Sequence, residues 1–178
     1  MSYITQKKIS QIFRQAVMQK GFKHVSVAQI CEIMHQVQIR RQSFYDNFDD
    51  KYDLLAWTIQ ATMEDIIDSN LDYLPWQEII SLVFFELQEN AKFYKSVLKS
   101  QVEVDIVREI AWHIQILLLH ILRKKGLIKN RQAYDFVETY CLGLTYTMTN
   151  NLFLPEPKEY DELAQKVCNA IEFAFGNY

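Results

Sequence analysis

The sequence predicts an all-α protein with about nine helices. The chain has 178 residues but only four glycines and three prolines, and of these only Pro155 and Pro157 lie close together. Long helices are therefore favoured over many short strands. Apolar residues recur three and four apart through most of the chain, the spacing of an amphipathic helix. With 49% hydrophobic residues, the chain can bury a real core, as one domain or as a small domain joined to a larger one.

The first helix is expected from a Thr5 cap to Gly21, with Ile9, Ile12, Phe13, Ala16 and Val17 on one buried stripe and Lys7, Lys8 and Arg14 outside it. The second has a well-marked start. Ser26 caps it, Gln29 completes a capping box, and Val25 can pack on Ile30 as a hydrophobic staple. Val27, Ile30, Cys31 and Met34 form its inner face. A third, short helix holds Arg40 to Asn47, with Phe44 and Phe48 four apart and turned inward. Asp49 or Asp50 then caps a fourth helix through Lys51, Leu54, Leu55, Ile59 and Met63 to about Asn70. Pro75 suits the first position of a helix ending at Glu89, and a short helix follows around Phe93 to Leu98. A long apolar helix from Val102 to Lys125 is closed by Gly126, with Arg123, Lys124 and Lys125 at its negative end. Arg131 to Leu152 and Lys158 to Phe175 complete the set.

Charge is distributed unevenly. Met1 to Phe48 carries Lys7, Lys8, Arg14, Lys20, Lys23, Arg40 and Arg41 against Glu32 and Asp46, a net +5, which leaves −8 for the remainder of a chain totalling −3. A basic first quarter on an acidic body suits local phosphate binding with little non-specific adhesion. The opening MSYITQKKI has no apolar signal core. The run Ile110 to Leu122 is too short to span a membrane and is broken by His113, Gln115 and His120. A cytoplasmic protein without membrane association is expected. Cys31, Cys141 and Cys168 are widely spaced within helical patterns and read as buried thiols, neither a disulfide framework nor a zinc motif.

The residues that carry chemistry are concentrated in IRRQSFYDNFDDKYDLL, Ile39 to Leu55. Two short helices and a turn form a helix-turn-helix. A bundle this small must bring its apolar stripes together, which turns Phe44 inward and Arg40, Arg41, Gln42, Tyr45 and Asn47 outward, towards a major groove. Arg40 and Arg41 suit guanine edges or phosphates, Gln42 suits adenine, and the Tyr45 hydroxyl suits a phosphate oxygen. Lys51, in the first turn of helix 4, adds its ammonium to the partial positive charge there. Ser26 and Ser43 complete the candidate DNA-contacting set. No Ser-His-Asp context, glycine-rich phosphate loop or HExxH occurs, and DNFDD and EPKEYDE read as caps and solvent faces, so an enzyme is not expected.

GFKHVSVAQI followed by IRRQSFYDNFDDKYDLL resembles the N-terminal DNA-binding domain of TetR-family transcriptional regulators. Where that pattern usually has small residues, serine or glycine, this chain has Gln38, Arg40 and Gln42. It also has about three extra residues between Ile30 and Ile39, roughly one helical turn. With DYLPWQE and LQENAKFYKSVL added, the chain resembles one subgroup, activators of dihydroxyacetone kinase operons, over about residues 1–98. The resemblance implies a helix-turn-helix domain over residues 1–50 and a helical regulatory and dimerisation domain over 51–178. It implies a homodimer on a near-palindromic DNA operator, controlling dihydroxyacetone or glycerol metabolism without a cofactor. It further implies sensing through a partner protein, a catalytically inactive relative of the kinase's dihydroxyacetone-binding subunit that holds the ligand. Two alternatives stand beside it: a repressor released by a small hydrophobic ligand in the C-terminal domain, and a helical adaptor that does not bind DNA.

In the resembled family the last two helices pair with their copies in a second chain. Tyr134, Val137, Tyr140, Cys141, Leu144 and Met148, with Gly143 beside them and Leu163, Val167, Ile171 and Phe175 following, form a stripe that can do this or can be ordinary intrachain core. Trp57, Trp76, Phe85, Phe93 and Trp112 supply aromatic surface for a candidate ligand pocket, with bundle core the default reading. Glu109, His113 and His120 share a helix face, but helix-borne histidines more often pack or meet solvent, and no metal site is expected.

Overall fold

The computed structural model describes residues 3–100, 104–127 and 131–175, and every regular element among them is helical. There are nine α-helices among the described residues: α1 (Tyr3–Lys20), α2 (Val27–Gln36), α3 (Gln42–Tyr45), α4 (Lys51–Ile66), α5 (Trp76–Glu89), α6 (Ala91–Leu98), α7 (Ile106–Lys124), α8 (Arg131–Asn151) and α9 (Tyr160–Phe175). One-turn 3₁₀ helices lie at Phe22–His24 and Asp68–Asn70. The chain packs as two compact units, residues 1–59 with 92–105, and residues 60–91 with 106–178. The expected division at residue 50 was one of function. By packing, the first unit extends into α4 and takes in most of α6.

The core of the first unit forms where the expected stripes meet. Ile9, Ile12, Phe13, Ala16 and Val17 of α1 are buried with Ile30, Cys31 and Met34 of α2, Phe44, Phe48, and Leu54, Leu55 and Ile59 of α4. Phe13 sets edge-to-face contacts with Phe22 and Phe93, centroids 6.1 Å apart in both, an arrangement that adds roughly 0.5–1.5 kcal/mol per pair beyond area burial. In the second unit α8 packs on α7 and α9 on α5. Ile79, Ile80, Val83, Phe84 and Leu87 line the inner face of α5, and Ile110, Ile114, Leu117 and Leu118 that of α7.

Helix boundaries follow local capping chemistry. α1 begins at Tyr3, ahead of Thr5. α4 stops at Ile66, not Asn70, because the Asn70 carboxamide donates to the Asp65 and Ile66 carbonyls, 3.0 Å each. Pro75 is the cap of α5 and not its first residue. The expected start of α7 at Val102 lies outside the described residues. Gly126, at φ +68°, ends α7 with Leu127 N–H donating to the Leu122 carbonyl at 2.9 Å. α9 starts at Tyr160 because buried Asn151 pairs with both backbone groups of Lys158, at 2.9 and 3.0 Å, holding that residue in the loop. No helix among the described residues is long and apolar enough to cross a membrane.

Candidate nucleic-acid interface

α2 begins on a complete capping box. Gln29 N–H donates to Ser26 Oγ at 3.3 Å, and Ser26 N–H donates to Gln29 Oε1 at 3.1 Å. Ser26 is thus committed to the helix start. The far end of α2 closes as a Schellman turn, with Ile39 N–H donating to the Met34 carbonyl (2.9 Å) and Gln38 N–H to His35 (3.1 Å). Gln38 stands at φ +62°, a left-handed conformation usually taken by glycine. Between Ile30 and Ile39, where extra residues are expected, α2 runs on to Gln36 and this turn completes the segment.

α3 is a single turn whose one buried side chain is Phe44, fully enclosed and packed edge-on against Tyr45 and tilted against Phe48. That anchor leaves Arg40, Arg41, Gln42 and Tyr45 exposed. The Arg41 guanidinium donates to the Tyr45 hydroxyl at 3.2 Å and lies 5.6 Å from that ring's centre, so the two side chains form one cationic, hydroxyl-bearing unit. Gln42 Nε2 donates to Asp46 Oδ1 at 2.9 Å, one turn on. This arrangement can present donors to base edges and phosphates.

The other three candidates are placed differently from the sequence expectation. Ser43 is half-buried, and its carbonyl accepts the Asn47 carboxamide at 2.6 Å. Asn47 therefore turns back to close α3 and does not face outward. Lys51 sits in the first turn of α4, which Asp50 caps by accepting from Tyr52 N–H (2.7 Å) and Asp53 N–H (2.9 Å). Its ammonium turns inward and donates to the carbonyls of Phe22 and Val25, 3.0 Å each. Burial there pushes its pKa down, against an opposing effect of the Asp50 charge.

The remaining candidate sets fare unequally. Val137, Cys141, Met148, Leu163, Val167 and Ile171, expected at a dimer interface, are already buried within the single chain, whereas Tyr134 is exposed and Leu144 half-buried. A helical stripe shows which face is apolar but not what covers it, and here α7 and α5 cover most of it. The outer face of α8 instead carries a groove of about 350 Å³ lined by Phe136, Thr139, Tyr140, Gly143, Leu144 and Thr147. Nor do the five aromatics expected to line a pocket gather around one described cavity. Trp57 packs on Tyr3 and Phe48, and Phe93 on Phe13 and Tyr94. Phe85 is exposed, Trp76 half-buried, and Trp112 borders a groove of about 120 Å³ with Arg108, Ala111, Gln115, Glu138 and Leu142. Buried His113 has Nδ1 3.3 Å from an Asp68 oxygen and Nε2 3.6 Å from Glu109, while His120 lies 3.5 Å from Asp72. Among the described residues no group of side chains is arranged to hold a metal ion.

No known family's profile matches the chain. The HTH-type dhaKLM operon transcriptional activator DhaS of Lactococcus lactis subsp. lactis (strain IL1403) is 34% identical over 96 residues, 54% of this chain and 50% of that protein. The chain thus spans about half the length of the curated relative it matches. A solved structure titled dihydroxyacetone kinase operon activator DhaS superposes with a TM-score of 0.81, at 21% identity and over 99% of both chains. The fold is that of DhaS. Over those 96 residues the chain is DhaS-like in sequence as well, and both relatives are named as operon activators, not as enzymes.

Proposed function

We propose that this DhaS-like chain is a sequence-specific DNA-binding transcriptional regulator whose α3 enters the major groove. The observation that carries the reading is the single-turn helix pinned by Phe44, with Arg40, Arg41, Gln42 and Tyr45 left exposed beside a capped α2. The +5 first quarter supplies the electrostatic attraction such a surface needs. A regulator of this kind works on the chromosome, in the cytoplasm.

The reading continues to a homodimer on a near-palindromic operator. Its interface is the outer face of α8, where Phe136 and Tyr140 stack at 5.7 Å beside Gly143. A mid-helix glycine costs roughly 0.5–1 kcal/mol relative to alanine, yet among the described residues nothing comes within 4 Å of the place its Cβ would occupy. Close approach of a second helix would account for it. The likeness to DhaS also supports control of dihydroxyacetone kinase genes as an activator, with the ligand held by a dihydroxyacetone-binding partner protein. The scattering of the five candidate pocket aromatics is consistent with sensing outside this chain.

Selection from a random duplex pool, with Arg41→Ala alongside, tests the central claim. Enrichment of a two-fold-symmetric site, weakened by about 1–3 kcal/mol in the variant, is the expected outcome. If no site is enriched, with or without a dihydroxyacetone-binding kinase-subunit relative added, the DNA-reading role is wrong.

A further inference from the structure

Phe22 is held at each of its chemical groups by a different part of the first unit. Its N–H donates to Ser96 Oγ of α6 at 2.8 Å, and its carbonyl accepts the Lys51 ammonium at 3.0 Å. Its buried ring meets Phe13 of α1 and Tyr52 of α4 edge-on, at 6.1 and 5.5 Å. The same ammonium binds the Val25 carbonyl at 3.0 Å and lies 4.6 Å from the centre of the Phe22 ring. Val25 immediately precedes Ser26, the cap of α2, and Lys51 opens α4. Everything that reads DNA under the proposed function lies between them, so one side chain joins the two ends of the α2–turn–α3 segment across 26 positions of sequence.

We propose that Lys51 is a positioning residue and not a phosphate contact: with Ser96 it clamps Phe22 and Val25 and so fixes where α2 and α3 present their side chains. The chemistry favours this use. The carbonyls of Phe22, which opens a one-turn 3₁₀ helix, and of Val25, which caps its end, carry partial negative charge that a cation satisfies well, and an ammonium held over an aromatic face gains a further attraction. Reaching outward to a phosphate would leave both carbonyls without their charged donor. Ser96 acts from a segment some seventy positions later, one that packs as part of the first unit through buried Phe93, Tyr94 and Val97.

This inference rests on the DNA-binding reading, and two measurements separate their fates. Binding of the selected duplex is titrated over a range of salt for the wild-type chain, Lys51→Met and Ser96→Ala, and amide hydrogen exchange is followed in the same three proteins without DNA. The clamp predicts affinity lowered by about tenfold or more in Lys51→Met and by a smaller factor in Ser96→Ala. The slope of log K against log salt stays unchanged in both. It also predicts faster exchange across residues 26–50 in both variants, with α7 and α8 unaltered. A slope reduced by about 0.9 in Lys51→Met, with Ser96→Ala inert, would identify a phosphate contact and overturn the proposal. Wild-type-like affinity well below a lowered melting temperature would reduce Lys51 to a stabilising residue and overturn it equally. If the wild-type chain enriches no duplex, the DNA reading fails, while unaltered exchange over 26–50 in the variants is what would sink the clamp.

Discussion

Phe44→Ala should separate DNA reading from folding of the rest of the chain. The ring is fully buried and is the sole inward side chain of α3. Truncation of a buried phenylalanine to alanine costs about 3–5 kcal/mol in lost transfer energy and residual cavity. α3 has four residues, and a single turn cannot sustain itself because nucleation is unfavourable without tertiary support. The loss therefore falls first on the seating of α3. If 3 kcal/mol of that loss appears as a reduced population of the seated state, apparent affinity falls about 100-fold. Phe44→Leu keeps most of the volume and should lose less than about 1.5 kcal/mol. Fluorescence anisotropy with the selected duplex at fixed salt measures the affinities. Far-ultraviolet circular dichroism checks that the other helices remain, since α3 contributes one turn to the signal. Phe44→Ala binding within threefold of wild type would refute the claim that this ring sets the recognition helix.

Ser26→Ala removes one half of the capping box and should lower stability by about 1 kcal/mol, read as a lower urea midpoint at constant m-value; an unmoved midpoint would mean the box contributes nothing. Gln38→Gly relieves a left-handed residue at φ +62°, a relief of about 1 kcal/mol partly offset by greater unfolded-state freedom. The expected result is a small rise in the midpoint, and a fall would contradict the Schellman turn. Burial pushes the Cys141 thiol up from 9.0 to about 12, so the folded state holds a proton that the unfolded state releases. Its contribution is fully present below pH 9 and is lost between pH 9 and about 12, at up to about 1.4 kcal/mol per pH unit. Wild type and Cys141→Ala should therefore differ in their stability slopes above pH 9 and run parallel below it. Parallel curves throughout would show that the thiol is not shielded.

What was legible in the sequence was what local chemistry determines. A Ser-x-x-Gln box closes on itself within four residues, so the start of α2 could be read directly, as could the inward turn of Phe44 and Phe48 from their four-residue spacing. What was not legible depended on partners distant in sequence. Lys51 at a helix N-terminus looks like an anion site until the chain brings the Phe22 and Val25 carbonyls against it, and nothing near Lys51 announces them. Asn47 read as one more outward polar residue, although an asparagine four after Ser43 is also placed to close a one-turn helix. The α8 stripe was legible only as an apolar face. Val137, Cys141 and Met148 correctly marked an apolar face, but the same periodicity serves a neighbouring helix of the chain or a second molecule. Tyr140, Gly143 and Leu144, named in the same stripe, line the exposed groove beside Phe136 instead.

The packing also bears on how the recognition segment holds its shape. α2 and α3 bury few side chains of their own: Ile30, Cys31 and Met34 on one, Phe44 on the other. Two short helices with so little apolar surface are not self-sufficient, and the missing enclosure comes from α1, the first half of α4 and α6. A cut after residue 50 would strip Leu54, Leu55, Ile59, Phe93, Tyr94 and Val97 from that core, along with both side chains that hold Phe22. The surface proposed to read DNA therefore packs on a segment that the chain reaches only after leaving the first unit and returning to it. Under the proposed clamp, a shift of residues 92–98 would reach Phe22 through its 2.8 Å hydrogen bond to Ser96, and from Phe22 would reach both ends of the helix-turn-helix through Lys51. The surface proposed to read DNA and the segment beneath it thus belong to one packed unit, although α6 lies far from α2 and α3 in the sequence.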